Sequence, residues 1–248
     1  MKKLFMFLFV ALLGLSVFAC KKEEEPKELD SNAISYAEYL NAKDDDPVVI
    51  KGYVQAKNVF KVTDASVDAN AGTASLYLAD KDGGYYVYGV KLNKDDYEKL
   101  EIGALVEITG TKASWKGEIE VSNATLRALG GKKQTFEAKN IDDKLDKAED
   151  YMNQLVSLKG WEVVARGDGG DPFTYTWGGG GERGSDLYVD LKKGDQTFTF
   201  VVESDLCNEN TDVYKAVEAL KVGDTVDLEG FAYWYNTLQL QLTKVTKK

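Results

Sequence analysis

Histidine is absent from the 248 residues, and cysteine occurs only at positions 20 and 207. The first absence removes the most common general base and the most common zinc ligand. Cys20 belongs to a leader described below, so Cys207 has no partner for an internal disulfide or a cysteine-based zinc site. Basic residues are also in the minority, with 31 Lys and Arg against 41 Asp and Glu. This balance argues against bulk binding to phosphate backbones, although it leaves a local basic groove possible.

Motifs for catalysis are missing as well. The sequence has no nucleophile elbow, phosphate loop or zinc motif. The glycine-rich stretch GGDPFTYTWGGGGERG (169–184) lacks the Gly-Lys-Ser/Thr of a phosphate loop and does not open a helix. It is typical of a flexible loop, with part of a binding site as the alternative. We therefore expect a protein that is not an enzyme and that holds no metal and no cofactor.

The chain opens with a short apolar segment, MKKLFMFLFVALLGLSVFAC. Two lysines, an apolar run and a small residue before a cysteine are the layout of a secretory signal peptide. The run is short for a membrane span, which needs about 20 apolar residues; an uncleaved anchor is the alternative. The Ala19-Cys20 ending resembles a bacterial lipoprotein cleavage site. It predicts a signal peptide over 1–19, a lipid on Cys20 as the membrane partner, and a charged tether over 20–33.

An eleven-residue cassette occurs twice, as LEIGALVEITG (100–110) and LKVGDTVDLEG (220–230). Two other segments repeat in the same order: IKGYV (50–54) with LKGWE (158–162), and SLYLAD (75–80) with DLYVDL (186–191). The chain therefore carries two copies of one unit.

Each copy has the same predicted order of elements. A short helix comes first (34–40 and 141–152), then a strand (48–59 and 155–165) and a long polar loop. A hairpin follows (75–90 and 186–202), its turns marked by Asp-Gly or Gly-Asp. A helical patch precedes the cassette, which alternates like a half-buried strand, and a last strand ends the unit (117–126 and 238–245). Gly103 and Gly223 suit the turn into the cassette strand, and Gly110 and Gly230 suit a bulge in it.

Five short strands with a helix between the third and the fourth resemble the OB-fold, a small Greek-key barrel. The repeated Lys-Gly-aromatic, Leu-Tyr-Leu and cassette elements resemble tandem OB-fold lipoproteins of bacteria, such as Bacteroidetes surface lipoproteins. The fold class expected is all-β, with OB-fold-like domains at 34–130 and 131–248, each with its own core. The resemblance implies an exported protein, anchored to the bacterial cell envelope at the outer membrane or cell surface.

Aromatic residues are the remaining functional signal. In OB-folds, ligands usually lie across strands two and three, between the loop joining strands one and two and the loop joining strands four and five. Strand alternation points Tyr77 and Tyr188 outward. The four-five loops carry Trp115 between Lys112 and Lys116, and Trp234 beside Tyr235. The second one-two loop carries Tyr175 and Trp177, flanked by Arg166 and Arg183. These residues form the predicted ligand face; the alternative is that the aromatics close the barrel ends.

Three functional hypotheses follow from this face. The first is a binding module for an extracellular oligosaccharide or another polymer, because aromatic rings stack on sugars. The second is a single-stranded nucleic-acid binder, which the acidic charge disfavours. The third is a scaffold that binds an envelope protein.

Overall fold

The computed structural model describes residues 27–167 and 169–248. The predicted signal peptide and Cys20 lie outside the described residues. The tether is described from Lys27 onward, where it runs along the first domain: Leu29 N donates to Leu129 O at 2.8 Å, and Arg127 Nη2 donates to Asp30 O at 2.9 Å.

Within residues 27–130, five strands form a closed ring that we call barrel 1. They pair in the order β1–β5–β6–β4–β3 and back to β1; only β4 and β6 are parallel. Its elements are α1 (Tyr36–Asn41), β1 (Pro47–Lys57), β2 (Lys61–Asp64), β3 (Asp68–Ala79), β4 (Gly84–Asn93), α2 (Lys94–Lys99), β5 (Leu105–Trp115) and β6 (Glu118–Ala128).

The described residues from 139 onward form a second ring, barrel 2. Its strands pair in the order β8–β11–β12–β10–β9 and back to β8. One residue pair, Val201 with Gln241, joins β10 to β12. Its elements are β7 (Lys139–Asn140), a 3-10 helix (Leu145–Tyr151), β8 (Leu155–Val164), β9 (Leu187–Lys193), β10 (Gln196–Val202), α3 (Asp212–Glu218), β11 (Thr225–Trp234) and β12 (Leu238–Lys247).

Both rings have a helix between their third and fourth strands, so the chain contains two tandem OB-fold-like barrels, as the repeat predicted. Local sequence explains the inserted helices: Asn93 Oδ1 accepts from Asp96 N at 2.8 Å, and Thr211 caps α3 in the same way. The helix that precedes barrel 1 is an α-helix with a Ser35–Glu38 capping box. The one that precedes barrel 2 is a 3-10 helix interrupted at Lys147.

The cassette is the fourth strand of each barrel, and its glycines have two separate roles. Gly103 and Gly223 have φ of 83° and 90°, which favours glycine in the turn that enters the strand. Gly110 and Gly230 lie at bulges. A Cβ on Gly230 would lie 2.5 Å from Gln241 O, and one on Gly110 would lie 2.6 Å from Val121 Cγ1. The repeat is conserved between the two copies because each copy needs the same turn and the same close approach.

Two strands were not predicted, β2 and the two-residue β7. The sequence indicated a long polar loop between the first two strands of barrel 1, whereas β2 forms there and pairs with an extension of β3. Its side chains are exposed throughout, so they show no alternation of apolar and polar residues for a sequence pattern to detect.

Each barrel has its own apolar core, and a third cluster joins them. Leu76 and Leu78 face the core of barrel 1, so Tyr77 faces outward. Its ring stacks on Phe231 of barrel 2 at 4.0 Å between centroids, and both are buried together with Tyr86. The contact between the barrels therefore buries part of the outward face of each one.

Candidate ligand-binding site

Three aromatic side chains from separate elements of barrel 2 meet on its surface. Trp177 lies in the loop between β8 and β9, Tyr188 on β9, and Tyr235 at the turn between β11 and β12. The ring of Trp177 lies 5.6 Å from that of Tyr188 and 6.2 Å from that of Tyr235. Trp177 is 54% exposed and Tyr235 39% exposed. We call these three residues the aromatic face; the strand and loops that carry it are those predicted to hold the ligand.

Arg166 lies beneath this face and positions it. Its guanidinium is 5.3 Å from the Trp177 ring centroid and 5.6 Å from that of Tyr188. It donates to Trp177 O at 2.8 Å and to Thr174 Oγ1 at 2.8 Å, and it pairs with Asp190 at 2.5 Å. Arg166 was predicted to be part of the ligand face; the structure buries it and matches its charge with Asp190.

Backbone pairing fixes the loop that carries Trp177. Thr174 and Tyr188 exchange two hydrogen bonds, N to O, at 2.9 and 2.8 Å. Gly179, Gly180 and Gly181 then follow with φ between 75° and 84°, a conformation that returns the chain sharply. This part of the glycine-rich stretch thus forms a turn beside the aromatic face. Burial, with the nearby Asp186 carboxylate, raises the pKa of Tyr188 to about 12, so its hydroxyl is neutral at physiological pH.

The corresponding hairpin of barrel 1 adjoins this face. Trp115 is 53% exposed, and the amine of Lys116 lies 5.6 Å from its ring centroid. Asn236 N, next to Tyr235, donates to Lys116 O at 2.6 Å. The tips of the two hairpins are therefore joined through the backbone, and the aromatic residues of both four-five loops occupy neighbouring turns.

Tyr175 and Arg183 lie apart from the aromatic face, beside α3. Tyr175 Oη donates to Glu218 Oε1 at 3.1 Å. Arg183 Nε donates to both oxygens of the same carboxylate at 3.0 and 3.2 Å. Both were predicted as ligand contacts. Their polar groups are engaged with Glu218, which leaves them a role in holding the loop against the helix.

Three further residues of the predicted ligand face are buried. Tyr77 lies between the barrels, Trp234 packs into the core of barrel 2 and is 8% exposed, and Lys112 turns inward to donate to the carbonyls of Leu40 and Ala42 at 2.8 and 2.6 Å. They were predicted to contact a ligand, whereas the structure packs both aromatic rings among apolar residues and pairs the lysine with backbone carbonyls. For Trp234, this packing fits the alternative that the aromatics close the barrel ends. Strand alternation correctly placed Tyr77 outward, but this pattern carries no information about the second barrel that packs on the same side.

A groove of about 390 Å³ between the barrels was missed by the sequence analysis. Tyr88, Lys91 and Asn123 of barrel 1 line one side, and Glu203 and Asp205 line the other. Burial raises the pKa of Glu203 to about 7, with a further contribution from Asp205. The groove is formed by docking of the two barrels, so no local pattern signals it.

Metal-binding side chains and the thiol of Cys207 are two further features of the described residues. No group of three or more metal-binding side chains occurs among them. Cys207 is half-buried, and burial raises the pKa of its thiol to about 11, which makes it a poor nucleophile. In the same part of the chain, no helix has the length and apolar character needed to cross a membrane.

No protein-family model matches the chain, and no curated protein matches it. Solved structures do. A murine DNA-binding protein bound with double-stranded DNA is 14% identical, with 82% of this chain and 96% of that chain covered and a TM-score of 0.35. The Ifi202 HINa domain in complex with a 20-bp double-stranded DNA is 13% identical over 83% and 96%, with a TM-score of 0.30. The single-stranded DNA-binding protein from Thermus aquaticus is 14% identical over 84% and 94%, with a TM-score of 0.27. The DNA ligands belong to these three proteins.

Proposed function

We propose that the chain is a non-enzymatic binding module and that the aromatic face is its ligand site. The observation that carries this proposal is the meeting of Trp177, Tyr188 and Tyr235 from two loops and a strand, with Arg166 fixed beneath them. Two of these rings are exposed although apolar surface is costly to leave in water. A rigid, exposed aromatic platform is suited to stacking on the ring of a ligand.

The charges around the face favour a neutral ligand, and we propose an oligosaccharide. Arg166 is buried and paired with Asp190, so its guanidinium is not available to a phosphate, and Arg183 lies apart from the face, paired with Glu218. Asp186 adds a carboxylate on the same side of barrel 2. Stacking on a sugar ring needs no cation, whereas a groove for single-stranded nucleic acid is usually positively charged.

Single-stranded nucleic acid is the second candidate, and Lys116 favours it. This lysine lies beside the exposed Trp115, on the hairpin that is joined to the aromatic face. A base stacked on Trp115 could place its phosphate near the amine. OB-folds bind oligonucleotides across the same strands and loops. With few available cations on the face, this binding would depend on one or two phosphate contacts.

Salt dependence separates the two candidates. Residues 27–248 should be titrated by calorimetry with neutral hexasaccharides of glucose, xylose, mannose and N-acetylglucosamine, and with an oligothymidylate, at low and at physiological salt. Sugar binding is expected to be unchanged by salt. Oligothymidylate binding should weaken with a slope of about −0.7 per phosphate contact. Absence of binding in every titration would contradict the proposal that the aromatic face is a ligand site for either class.

We further propose that the module is exported and held at the bacterial cell envelope by a lipid on Cys20. Ala19-Cys20 after an apolar run supports this proposal. Leu29 N donates to Leu129 O, so few residues of the sequence separate Cys20 from a contact with barrel 1. A short tether would keep both barrels close to the membrane surface.

A further inference from the structure

The groove of about 390 Å³ between the barrels has a floor built by three neighbouring strands of barrel 1. Thr73 and Ser75 of β3, Tyr88 and Gly89 of β4, and Asn123 of β6 line this floor. The three residues of the aromatic face are not part of the lining. The groove is therefore separate from the ligand site proposed above.

The three strands depart from regular pairing at the same place. Gly89 and Asn123 have φ of 58° and 50°, in the left-handed region. The ladder between β4 and β6 is interrupted around these two residues and resumes at Lys91 with Thr125. On either side of Ser75, the ladder between β3 and β4 shifts its register. Bulges and unfavourable backbone conformations of this kind are concentrated at functional sites, so their meeting in one floor points to a ligand.

Gly89 keeps this floor open. A Cβ on Gly89 would meet no atom within 4 Å, so the space above it is free. The amide of Gly89 donates to Ser75 Oγ at 3.1 Å, which fixes the hydroxyl in place. Beside it, Tyr88 is 58% exposed. The floor thus presents a ring and polar groups to the same accessible space.

Two carboxylates of barrel 2 form the opposite wall, and barrel 1 holds them there. Asn58 Nδ2 donates to Glu203 Oε2 at 2.9 Å. Val59 N donates to Asp205 O at 2.7 Å, and Lys61 pairs with the Asp205 carboxylate. Glu203 is partly exposed, and in the described part of the chain Asn58 makes the one hydrogen bond to its carboxylate. Glu203 Oε1 is therefore an acceptor held in position and left for a ligand.

The charges of the groove cancel once Glu203 is ionised. Among the described residues, its charged lining consists of Lys61, Lys91, Glu203 and Asp205. Two positive and two negative side chains give no net attraction for a phosphate or for an amine. The groove therefore favours an uncharged ligand.

Glu203 ionises near neutral pH. Burial raises its pKa to about 7, and the carboxylates of Asp205 and Asp186 act in the same direction, whereas Lys61 and the hydrogen bond from Asn58 oppose them. The other titratable groups that feel its charge have pKa values raised above neutrality and are uncharged at pH 7: Tyr77, Tyr86, Tyr188, Tyr233 and Cys207. An ionised carboxylate is the stronger acceptor for a hydroxyl, so binding of a hydroxyl ligand should improve as pH rises through this value.

We propose that the groove is a second saccharide site, which binds one pyranose ring of a neutral sugar. Tyr88 would stack on a face of the ring, and Glu203 Oε1 would accept a hydrogen bond from one of its hydroxyls. Asn123 has an amide that donates and accepts at once, which matches a neighbouring hydroxyl. The site extends the proposed function and takes from it only the class of ligand.

Nuclear magnetic resonance of isotope-labelled residues 27–248 tests this assignment with the methyl pyranosides of glucose, galactose, mannose and N-acetylglucosamine. At least one should shift the backbone amide signals of Gly89 and Asn123 in a saturable way. Cyclohexanol has a six-membered ring with a single hydroxyl and should not. Equal shifts with cyclohexanol would overturn the proposal, as would the absence of shifts at these amides with every pyranoside. Shifts confined to the surroundings of Trp177 and Tyr235 would support the aromatic face and overturn the groove.

Variants locate the ring. Tyr88→Ala should weaken pyranoside affinity by roughly two- to tenfold. Tyr235→Ala removes an exposed tyrosine of the aromatic face and is the matched control, which should leave this affinity unchanged. If the control weakens binding as much as Tyr88→Ala, the pyranoside is not bound in the groove.

The pH dependence checks the role of Glu203. At about pH 8.5, Glu203→Gln should weaken affinity by roughly three- to tenfold, because a neutral amide replaces a charged acceptor. At about pH 5.5, the wild-type carboxyl is neutral and the two proteins should bind alike. A wild-type affinity that is the same at both pH values would overturn the proposal.

Discussion

The backbone amide of Trp234 donates a hydrogen bond of 2.7 Å to Glu118 Oε2, so a strand of barrel 2 holds a carboxyl of barrel 1. Glu118 is fully buried. Within the described chain, its second oxygen has no hydrogen-bond partner. Burial raises the pKa of Glu118 to about 8; the hydrogen bond from Trp234 N lowers it in part, and Glu120 raises it. A neutral carboxyl is therefore built into the contact between the barrels.

We predict that stability falls with rising pH and that Glu118 causes part of the fall. An unfolded glutamate ionises near pH 4.5, so between about pH 4.5 and 8 the folded state binds a proton that the unfolded state lacks. Stability then decreases as pH rises through this window. Glu118→Gln should flatten the pH dependence of the urea midpoint and raise stability at pH 9. Glu203 contributes with the same sign, so some slope should persist; an unchanged slope would contradict the role of Glu118.

Phe231→Ala should loosen the contact between the barrels. The ring is 2% exposed and stacks on Tyr77, and loss of a buried phenylalanine costs about 3–5 kcal/mol. Each barrel keeps its own core, so scanning calorimetry of the variant should show two unfolding transitions. In the wild type these two transitions should lie closer together or merge into one. Tyr77→Phe is the control. The hydroxyl of Tyr77 lacks a partner among the described residues, so its removal should not destabilise the protein.

The aromatic face predicts a separation between binding and stability. Trp177→Ala and Tyr235→Ala should each cost about 1–3 kcal/mol of ligand affinity, the range for ring stacking, with little change in melting temperature. Trp234→Ala is the contrasting variant. Because Trp234 is a core residue, its truncation to alanine should lower the free energy of unfolding by about 3–5 kcal/mol. If Trp177→Ala lowers the melting temperature as much as Trp234→Ala does, Trp177 has a structural role and not a ligand-binding role.

Arg166 should behave as a positioning residue. Arg166→Ala removes one partner of a largely buried ion pair and leaves Asp190 uncompensated, a change that costs about 3–5 kcal/mol in comparable cases. Ligand affinity should fall with it because Trp177 loses its support. Adding Asp190→Asn should recover part of the stability but not the affinity, which a double-mutant cycle would measure. Recovery of both would indicate that Arg166 acts only through charge.

The lipid proposal is tested in the full-length chain. Cys20→Ser should abolish incorporation of a labelled fatty acid and leave an unprocessed precursor. Cys207→Ser removes the other thiol and should change neither. Mass spectrometry of the wild type that finds Cys20 without lipid would contradict the proposal.

Sequence periodicity was sufficient for the barrels because the fold depends on short-range rules. The bulge at Gly230, the turn at Gly223 and the inward side chains Leu76 and Leu78 are each determined within a few residues. Contacts between the barrels are not. Tyr77 and Tyr188 have the same place in their repeats, yet one is buried and the other helps to form the aromatic face, because the second barrel packs on only one of them. The same limit explains why the groove at Glu203 had no signal in the sequence.

The hydrogen bond from Asn236 N to Lys116 O joins the tips of the two hairpins. Trp115 and Tyr235 are each one residue away from this bond, so the backbone positions from which the two rings extend are held close together. Only a ligand long enough to span Trp115 and Tyr235 would contact both rings. A chain of rings long enough to reach both would gain the second contact without ordering either loop, whereas a single ring would gain only one. Affinity should therefore rise in a step at the length that spans the two hairpins, and not gradually with each added unit.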